Sequence, residues 1–111
     1  MLYTVAIVWI HFVADFLLQG DKMATRKSSS LKWLLLHCTV YTAPFLLFGI
    51  RFAAITFVAH LVTDYWTSKG TTLLWKADER HWFFCLIGLD QAIHITTLIV
   101  TYLYLFGNPY D

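Results

Sequence analysis

Three pairs of histidine and aspartate, each with its members four residues apart, are the feature of the sequence with the clearest chemical meaning. They lie in otherwise apolar stretches and comprise His11 with Asp15, His60 with Asp64 and, in reverse order, Asp90 with His94. Residues four apart occupy one face of a helix, so each pair can direct an imidazole and a carboxylate at one point. Imidazole and carboxylate together are a ligand set for zinc, iron and manganese. The spacing therefore predicts a metal site built from several helices.

A further histidine in another apolar stretch completes a set of seven predicted metal ligands. The set is His11, Asp15, His37, His60, Asp64, Asp90 and His94. One zinc ion takes only three or four ligands from a protein, so we expect one or two divalent ions, with zinc preferred and manganese or iron as alternatives. Asp64 and Asp90 are also expected to be catalytic, because a carboxylate that is free of metal can act as a general base.

The charges of this set need compensation. Apart from Lys32 at the very start of the second stretch, no Lys or Arg lies inside the apolar stretches that carry it, so its three carboxylates are expected to lack a basic partner. Unpaired carboxylates in a low dielectric cannot all stay ionised, and either protons or metal ions must neutralise them. Metal binding is the preferred hypothesis. A metal-free proton or ion relay and simple hydrogen bonding between helices are the alternatives.

The elements that must position these residues are predicted to be membrane spans. Of 111 residues, 59% are hydrophobic and 14% are charged, against roughly 45–50% and 25% in soluble domains. This hydrophobicity and a net charge of +1 exclude a disordered chain and a basic nucleic-acid-binding protein. We therefore predict a single all-α domain over residues 1–111, an integral membrane bundle of four transmembrane helices at about 1–19, 31–49, 52–68 and 81–106. A soluble bundle of very hydrophobic helices is the alternative.

The basic residues predict the orientation. Seven of the eight Lys and Arg residues lie at 20–32 and 69–80, whereas the turn at 49–51 carries only Arg51. Since basic loops face the cytoplasm, both termini are expected outside, in the bacterial inner membrane. The first segment lacks a basic leading region and a small-residue cleavage site, which favours a retained span over a secretory signal.

The predicted ligands also share a depth in the membrane. Measured from the cytoplasmic helix ends at 1.5 Å per residue, most lie roughly 6–14 Å deep, and His94 lies deepest, at about 19–20 Å. The outer half carries few polar residues, which favours a closed site over a path across the membrane. Gln19, Lys69 and Gln91 are expected at the cytoplasmic mouth of the site, where the Lys69 ammonium is suited to bind a phosphate.

Four strings of the sequence resemble a known family in their order. They are His11-Phe-Val-Ala-Asp15-Phe-Leu-Leu-Gln19, His37-x-x-x-Tyr41, His60-x-x-x-Asp64 followed by Lys69, and Gly88-Leu-Asp90-Gln91-x-x-His94. Across nearly the whole chain they resemble the small membrane proteins of bacteria and phages grouped as domain of unknown function 3307. That resemblance implies no activity. A more distant similarity to membrane-bound metal-dependent hydrolases is one of pattern only.

The sequence thus predicts a divalent-metal-binding membrane protein that acts as a hydrolase on a lipid, or on a lipid-linked phosphate or ester, near the cytoplasmic leaflet. The metal would lower the pKa of a bound water to about 7. One alternative is a subunit of a proton or metal-ion transporter or channel, and another is a non-enzymatic regulatory protein of a phage or bacterium. The expected partners are membrane lipid, a lipid-linked substrate and either a second copy or another membrane protein, with no nucleic acid.

Overall fold

Five α-helices joined by short connections form the structure, a computed structural model that describes residues 2–107. The helices are α1 (Leu2–Phe12), α2 (Asp21–Arg26), α3 (Leu31–Thr42), α4 (Ile50–Lys76) and α5 (Arg80–Phe106). A π-helical turn, Val13–Leu17, continues α1, and a 3-10 segment, Ala43–Phe48, continues α3. The described residues contain no strand, so the all-helical prediction is confirmed.

The first helix widens where it carries its aspartate. The wide turn ends at Leu18, whose amide donates to the carbonyl of Val13 at 2.9 Å. A π turn takes in one more residue than an α turn, and such turns recur at functional sites. Here Asp15 is buried within the turn while Phe16 and Leu17 stay exposed. The turn therefore holds one carboxylate in the bundle interior.

A single residue, Gly49, separates the 3-10 segment from α4. Its φ of 100° lies in a region that residues with a Cβ rarely adopt. The predicted tight hairpin between the second and third segments is present. Its turn is shorter than the predicted 49–51, because Ile50 and Arg51 already belong to α4.

The connection between α4 and α5 departs further from the prediction. α4 continues past Ser68 to Lys76, so the predicted loop at 69–80 shrinks to the residues 77–79. A Cβ at position 70 would lie 2.6 Å from Leu86 Cδ2, so the absence of a side chain at Gly70 lets α5 pack closely against α4. In this stretch Lys69 and Lys76 are exposed and Thr71 and Thr72 are half-buried, on a helix that the sequence led us to interpret as a loop.

Around the middle of the bundle, polar side chains lie inside and apolar side chains lie outside. The buried residues include four histidines and two aspartates, His11, His37, His60, His94, Asp15 and Asp64. Large apolar side chains cover much of the surface, among them Leu47, Val58, Val62 and Val100. Only towards the end at Gly49 does an apolar cluster fill the interior, formed by Ile7, Ala14, Tyr41, Phe45, Phe52 and Leu98.

Two described helical stretches are long and apolar enough to cross a bilayer. They are Leu31–Phe48 and Arg80–Phe106, while Leu2–Leu17 is apolar but shorter. α4 has sufficient length, but it carries more polar residues, including His60 and Asp64. Four membrane spans therefore stay a prediction.

Candidate metal centre

The side chains of the seven predicted ligands gather around one region of the bundle interior. They come from α1 and its π turn, α3, α4 and α5, and each pair with four-residue spacing does share one helix face. The ligands form three overlapping groups of three residues. Within each group the ligand atoms lie within 4.8 Å of one another. These groups are Asp15–His37–His60, His60–Asp64–His94 and Asp15–Asp90–His94.

The densest part of the centre surrounds two imidazoles, those of His37 and His60. Their Nε2 atoms are 3.0 Å apart, and Asp15 Oδ1 lies 3.2 Å from the first and 3.8 Å from the second. Asp64 Oδ2 lies 3.2 Å from His37 Nε2 and 3.5 Å from His60 Nε2. One proton on a ring nitrogen can satisfy one acceptor, so these contacts cannot all be hydrogen bonds.

Each of these two rings contacts the centre through one nitrogen only, its Nε2 atom. His37 Nδ1 and His60 Nδ1 are buried and have no hydrogen-bond partner among the described residues. The ring of His60 is held by stacking, with centroids 3.8 Å from Tyr41 and 4.2 Å from His94. Packing therefore orients the imidazole, and its Nε2 atom is left to interact with the centre.

His94 and Asp90 form the side of the centre nearest α5. His94 Nε2 lies 3.2 Å from Asp64 Oδ1 and 3.2 Å from Asp90 Oδ1, so this imidazole links the two carboxylates. The hydroxyl of Thr67 donates to Asp90 Oδ1 at 2.5 Å. Asp90 is thereby in contact with both an imidazole and a hydroxyl group.

The greater depth predicted for His94 is wrong. It was measured from His81, but Leu86 is the residue of α5 that packs on Gly70. Counted from that contact, Asp64 and Asp90 lie about 9 and 6 Å along their helices, and His60 and His94 lie about 15 and 12 Å along. The two pairs are therefore nearly level, because the first turns of α5 pair with the unpredicted end of α4.

His11 occupies a different position from the other histidines. Its Nδ1 lies 2.7 Å from the Tyr41 hydroxyl and its Nε2 lies 2.7 Å from Gln91 Oε1, so both nitrogens are engaged. The Gln91 amide nitrogen donates to Asp15 Oδ2 at 3.0 Å and to Asp90 Oδ2 at 3.2 Å. His11 therefore orients a glutamine that in turn holds two carboxylates, and it belongs to none of the three ligand groups.

A basic residue reaches the centre, contrary to the expectation that its carboxylates lack one. Lys27 Nζ donates to Asp64 Oδ2 at 2.8 Å, and the lysine side chain is only 17% exposed. Burial alone would lower the pKa of Lys27, but the Asp64 carboxylate outweighs it and raises that pKa above its ordinary value. Lys27 was missed because it follows a short helix in a segment that the sequence led us to interpret as a solvated loop. The signal in the sequence that could have pointed to Lys27 was the set of three carboxylates without a basic partner.

A cleft of about 190 Å³ opens beside the centre. Asp15, Asp64 and Asp90 border it, together with Lys27, Gln19, Gln91, Thr67, Ser68, Thr71, Phe16 and Ile87. Gln19 and Gln91, two of the residues predicted at a cytoplasmic mouth, line this cleft. Lys69 does not line it, because its ammonium donates to the carbonyl of Ser28 at 3.0 Å and lies over the Tyr65 ring. Lys27 occupies the position that we expected for Lys69.

The comparison with known families agrees with the four strings noted in the sequence. The family described as protein of unknown function (DUF3307) matches residues 3–109. The chain belongs to the DUF3307 family. Searches of the curated proteins and of the solved structures gave no significant match. The similarity of this DUF3307 protein to metal-dependent hydrolases stays a prediction.

Proposed function

We propose that this DUF3307 protein is an integral membrane hydrolase that uses one divalent metal ion. The observation that carries the proposal is the crowding of His37 Nε2, His60 Nε2 and two carboxylate oxygens around one point, at separations of 3.0–3.8 Å. Ligands about 2.0–2.1 Å from zinc in a tetrahedral arrangement lie about 3.3 Å from one another. Each carboxylate oxygen is therefore about as far from the two imidazole nitrogens, and these nitrogens from each other, as two ligands of one such ion would be.

The charges of the centre support one ion rather than two. The three carboxylates are opposed by the ammonium of Lys27, which leaves two negative charges if the histidines are neutral. One divalent cation balances these two charges. A second ion would leave the buried centre with a net positive charge, which is costly in a low dielectric. In addition, His11 is already bonded through both nitrogens, so fewer ligands are free than the sequence suggested.

The reversed polarity of the bundle supports a membrane location. Ionisable side chains inside and large apolar side chains outside are the arrangement that a lipid environment favours and water does not. The long axis of 48 Å exceeds the roughly 30 Å of a hydrocarbon core, so the polar end of the α4–α5 hairpin would reach the aqueous phase. We place the cleft on that side, which the basic residues assign to the cytoplasm.

Hydrolysis is supported by the position of Asp90. This carboxylate borders the cleft, is held by Thr67 and His94, and is outside the four-atom group. A divalent ion held by His37, His60, Asp15 and Asp64 would supply the acidification of water and the polarisation of an ester. Asp90 would accept the proton of the water whose oxygen bonds to the phosphorus or carbonyl carbon of the ester. The bond from that atom to the alcohol oxygen would break, and this oxygen would take the proton from Asp90.

Transport is less well supported by the interior beyond the centre. From Tyr41 towards Gly49 the described core contains Phe45, Phe52 and Leu98 beside the buried threonines Thr42, Thr56 and Thr101, and it holds no Asp, Glu, His, Lys or Arg. Ionisable residues inside a membrane mark the paths of ions and protons, and this part of the interior has none among the described residues. The centre is therefore better suited to a reaction at one membrane face.

The test is elemental analysis of detergent-purified protein combined with hydrolysis of p-nitrophenyl phosphate and p-nitrophenyl butyrate. We expect about one divalent ion per chain, which Asp64→Asn abolishes. Asp90→Asn should retain the ion and lose hydrolysis, and the exposed Asp21→Asn should change neither. Wild-type protein that binds no divalent ion after loading, and is equally inactive on both esters, would overturn the proposal.

A further inference from the structure

The ammonium of Lys27 bonds to a carboxylate oxygen of Asp64 that the proposed metal ion would also bind. Lys27 Nζ donates to Asp64 Oδ2, the same oxygen that lies 3.2 Å from His37 Nε2 and 3.5 Å from His60 Nε2. A cation bound between those atoms would draw on this oxygen and repel the ammonium. Loading the centre would therefore weaken the bond between Lys27 and Asp64.

A lysine released from Asp64 would still be confined near the cleft. Lys27 follows α2 directly, and the carbonyl of its neighbour Ser28 is bonded to Lys69 on α4 at 3.0 Å. The backbone is thus fixed to the bundle on the side of the opening. A largely buried ammonium without an anionic partner is unfavourable. An anion in the cleft would therefore be a favourable new partner for the released ammonium.

The remainder of the cleft is suited to a compact oxyanion with an apolar substituent. The side-chain amide nitrogen of Gln19 offers a hydrogen-bond donor in the cleft that Lys27 also borders, whereas the Thr71 hydroxyl already donates to the Ser68 carbonyl at 3.0 Å. A volume of about 190 Å³ accommodates a group of several non-hydrogen atoms, since one water takes about 30 Å³ of the liquid. Phe16 and Ile87 form an apolar part of the wall.

We propose that the cleft is a phosphate-binding subsite in which Lys27 is the cation, and that phosphate binds only after the metal centre is loaded. This inference rests on the proposed metal centre and narrows its substrates from esters in general to phosphate esters. Without metal, Lys27 is committed to Asp64 and three carboxylates border the cleft, so an anion is repelled. With metal, the ion balances two of the three carboxylate charges, so the repulsion of an anion is weaker and the ammonium is released from Asp64. The order of binding follows from this exchange.

Calorimetric titration of the detergent-purified full chain tests the proposal. Protein loaded with one equivalent of manganese, and freed of excess metal, is titrated with inorganic phosphate and separately with dihexanoyl phosphatidic acid. We expect binding to loaded wild type and none to the metal-free protein. Lys27→Met should bind manganese at least as tightly as wild type and lose phosphate affinity by tenfold or more. Lys22→Met, which removes an exposed lysine of α2, should behave as wild type.

The outcomes separate this inference from the metal centre. Equal phosphate affinity of loaded wild type and Lys27→Met would overturn the role of Lys27 and leave the centre intact. Phosphate binding by metal-free wild type would overturn the order of binding, a result that requires no variant to fold. Failure of wild type to bind manganese would overturn both proposals. Tighter binding of phosphatidic acid than of inorganic phosphate would support a lipid headgroup as the source, and equal binding would support free phosphate. If Lys27→Met does not fold, Lys27→Gln keeps a donor to Asp64 and gives the same comparison.

Discussion

Replacing His60 by phenylalanine separates metal binding from packing at the centre. Phenylalanine preserves an aromatic ring that can stack on Tyr41 and His94, whose centroids lie 3.8 and 4.2 Å from that of His60. The change removes Nε2, which faces the other ligand atoms, and Nδ1, which is buried without a partner in the described part of the chain. An unsatisfied buried polar atom costs about 1–3 kcal/mol. The metal-free variant should therefore be at least as stable as metal-free wild type.

The loaded proteins should differ in the opposite direction. At free metal of about 1,000 times the dissociation constant, binding stabilises the folded protein by about 4.1 kcal/mol. Loss of a residue that only hydrogen-bonds a metal ligand weakens metal binding by up to about 100-fold. Loss of a ligand itself should weaken metal binding at least as much. The stabilisation then falls to about 1.4 kcal/mol, a loss of about 2.7 kcal/mol. For a chain of 111 residues this corresponds to a thermal midpoint lower by roughly 12 °C.

Thermal unfolding in detergent, with and without a fixed concentration of zinc or manganese, measures both effects. The control is His81→Phe, which changes an exposed histidine at the start of α5 and should keep the full metal-induced shift. If metal-free His60→Phe melts well below metal-free wild type, His60 has a structural role that the geometry does not reveal. If the variant retains the wild-type shift with metal, His60 is not a ligand and the four-atom centre is refuted.

Two further predictions concern the fold. Gly70→Val should lower the thermal midpoint by the equivalent of about 1–3 kcal/mol, because the valine side chain would overlap Leu86. Gly88→Val is the control and should not lower it, since the space around a Cβ at position 88 is open. Equal effects of the two changes would refute the close packing at Gly70. In a background of Cys85→Ser, single cysteines at Ser29 and Arg51 should react with an impermeant maleimide from opposite sides of the membrane, and labelling of both from one side would refute the predicted orientation.

The sequence predicted the composition of the centre better than its surroundings. The spacing of His60 and Asp64 fixes their shared helix face whatever the tertiary structure, because helix geometry alone determines it. The same holds for Asp90 and His94. Their depth was misjudged because it depends on where α4 ends, and polar residues such as Thr71 and Thr72 are compatible with either a loop or an exposed helix. Local geometry was therefore predictable, and the pairing of two helices was not.

The roles of individual ligands required the structure for a different reason. His11 and His60 each stand four residues before an aspartate, so the sequence gives them the same role. They differ because Gln91 and Tyr41, from two other helices, bond both nitrogens of His11. The position of the Lys27 ammonium beside Asp64 likewise depends on how the segment after the π turn folds back towards α4. Such differences arise from side chains distant in sequence, which spacing does not describe.

The reversed polarity of the bundle links stability to the chemistry of the centre. In lipid, apolar side chains on the surface gain nothing by packing against each other instead of against hydrocarbon, so helices associate through close packing and polar contacts. Here many of the polar contacts between helices involve Asp15, Asp64 and Asp90, which mutually repel unless a cation or protons neutralise them. Lys27 provides one positive charge, and the proposed metal ion provides the other two. The ion that activates water in our proposal would therefore also hold together the helices that form the site.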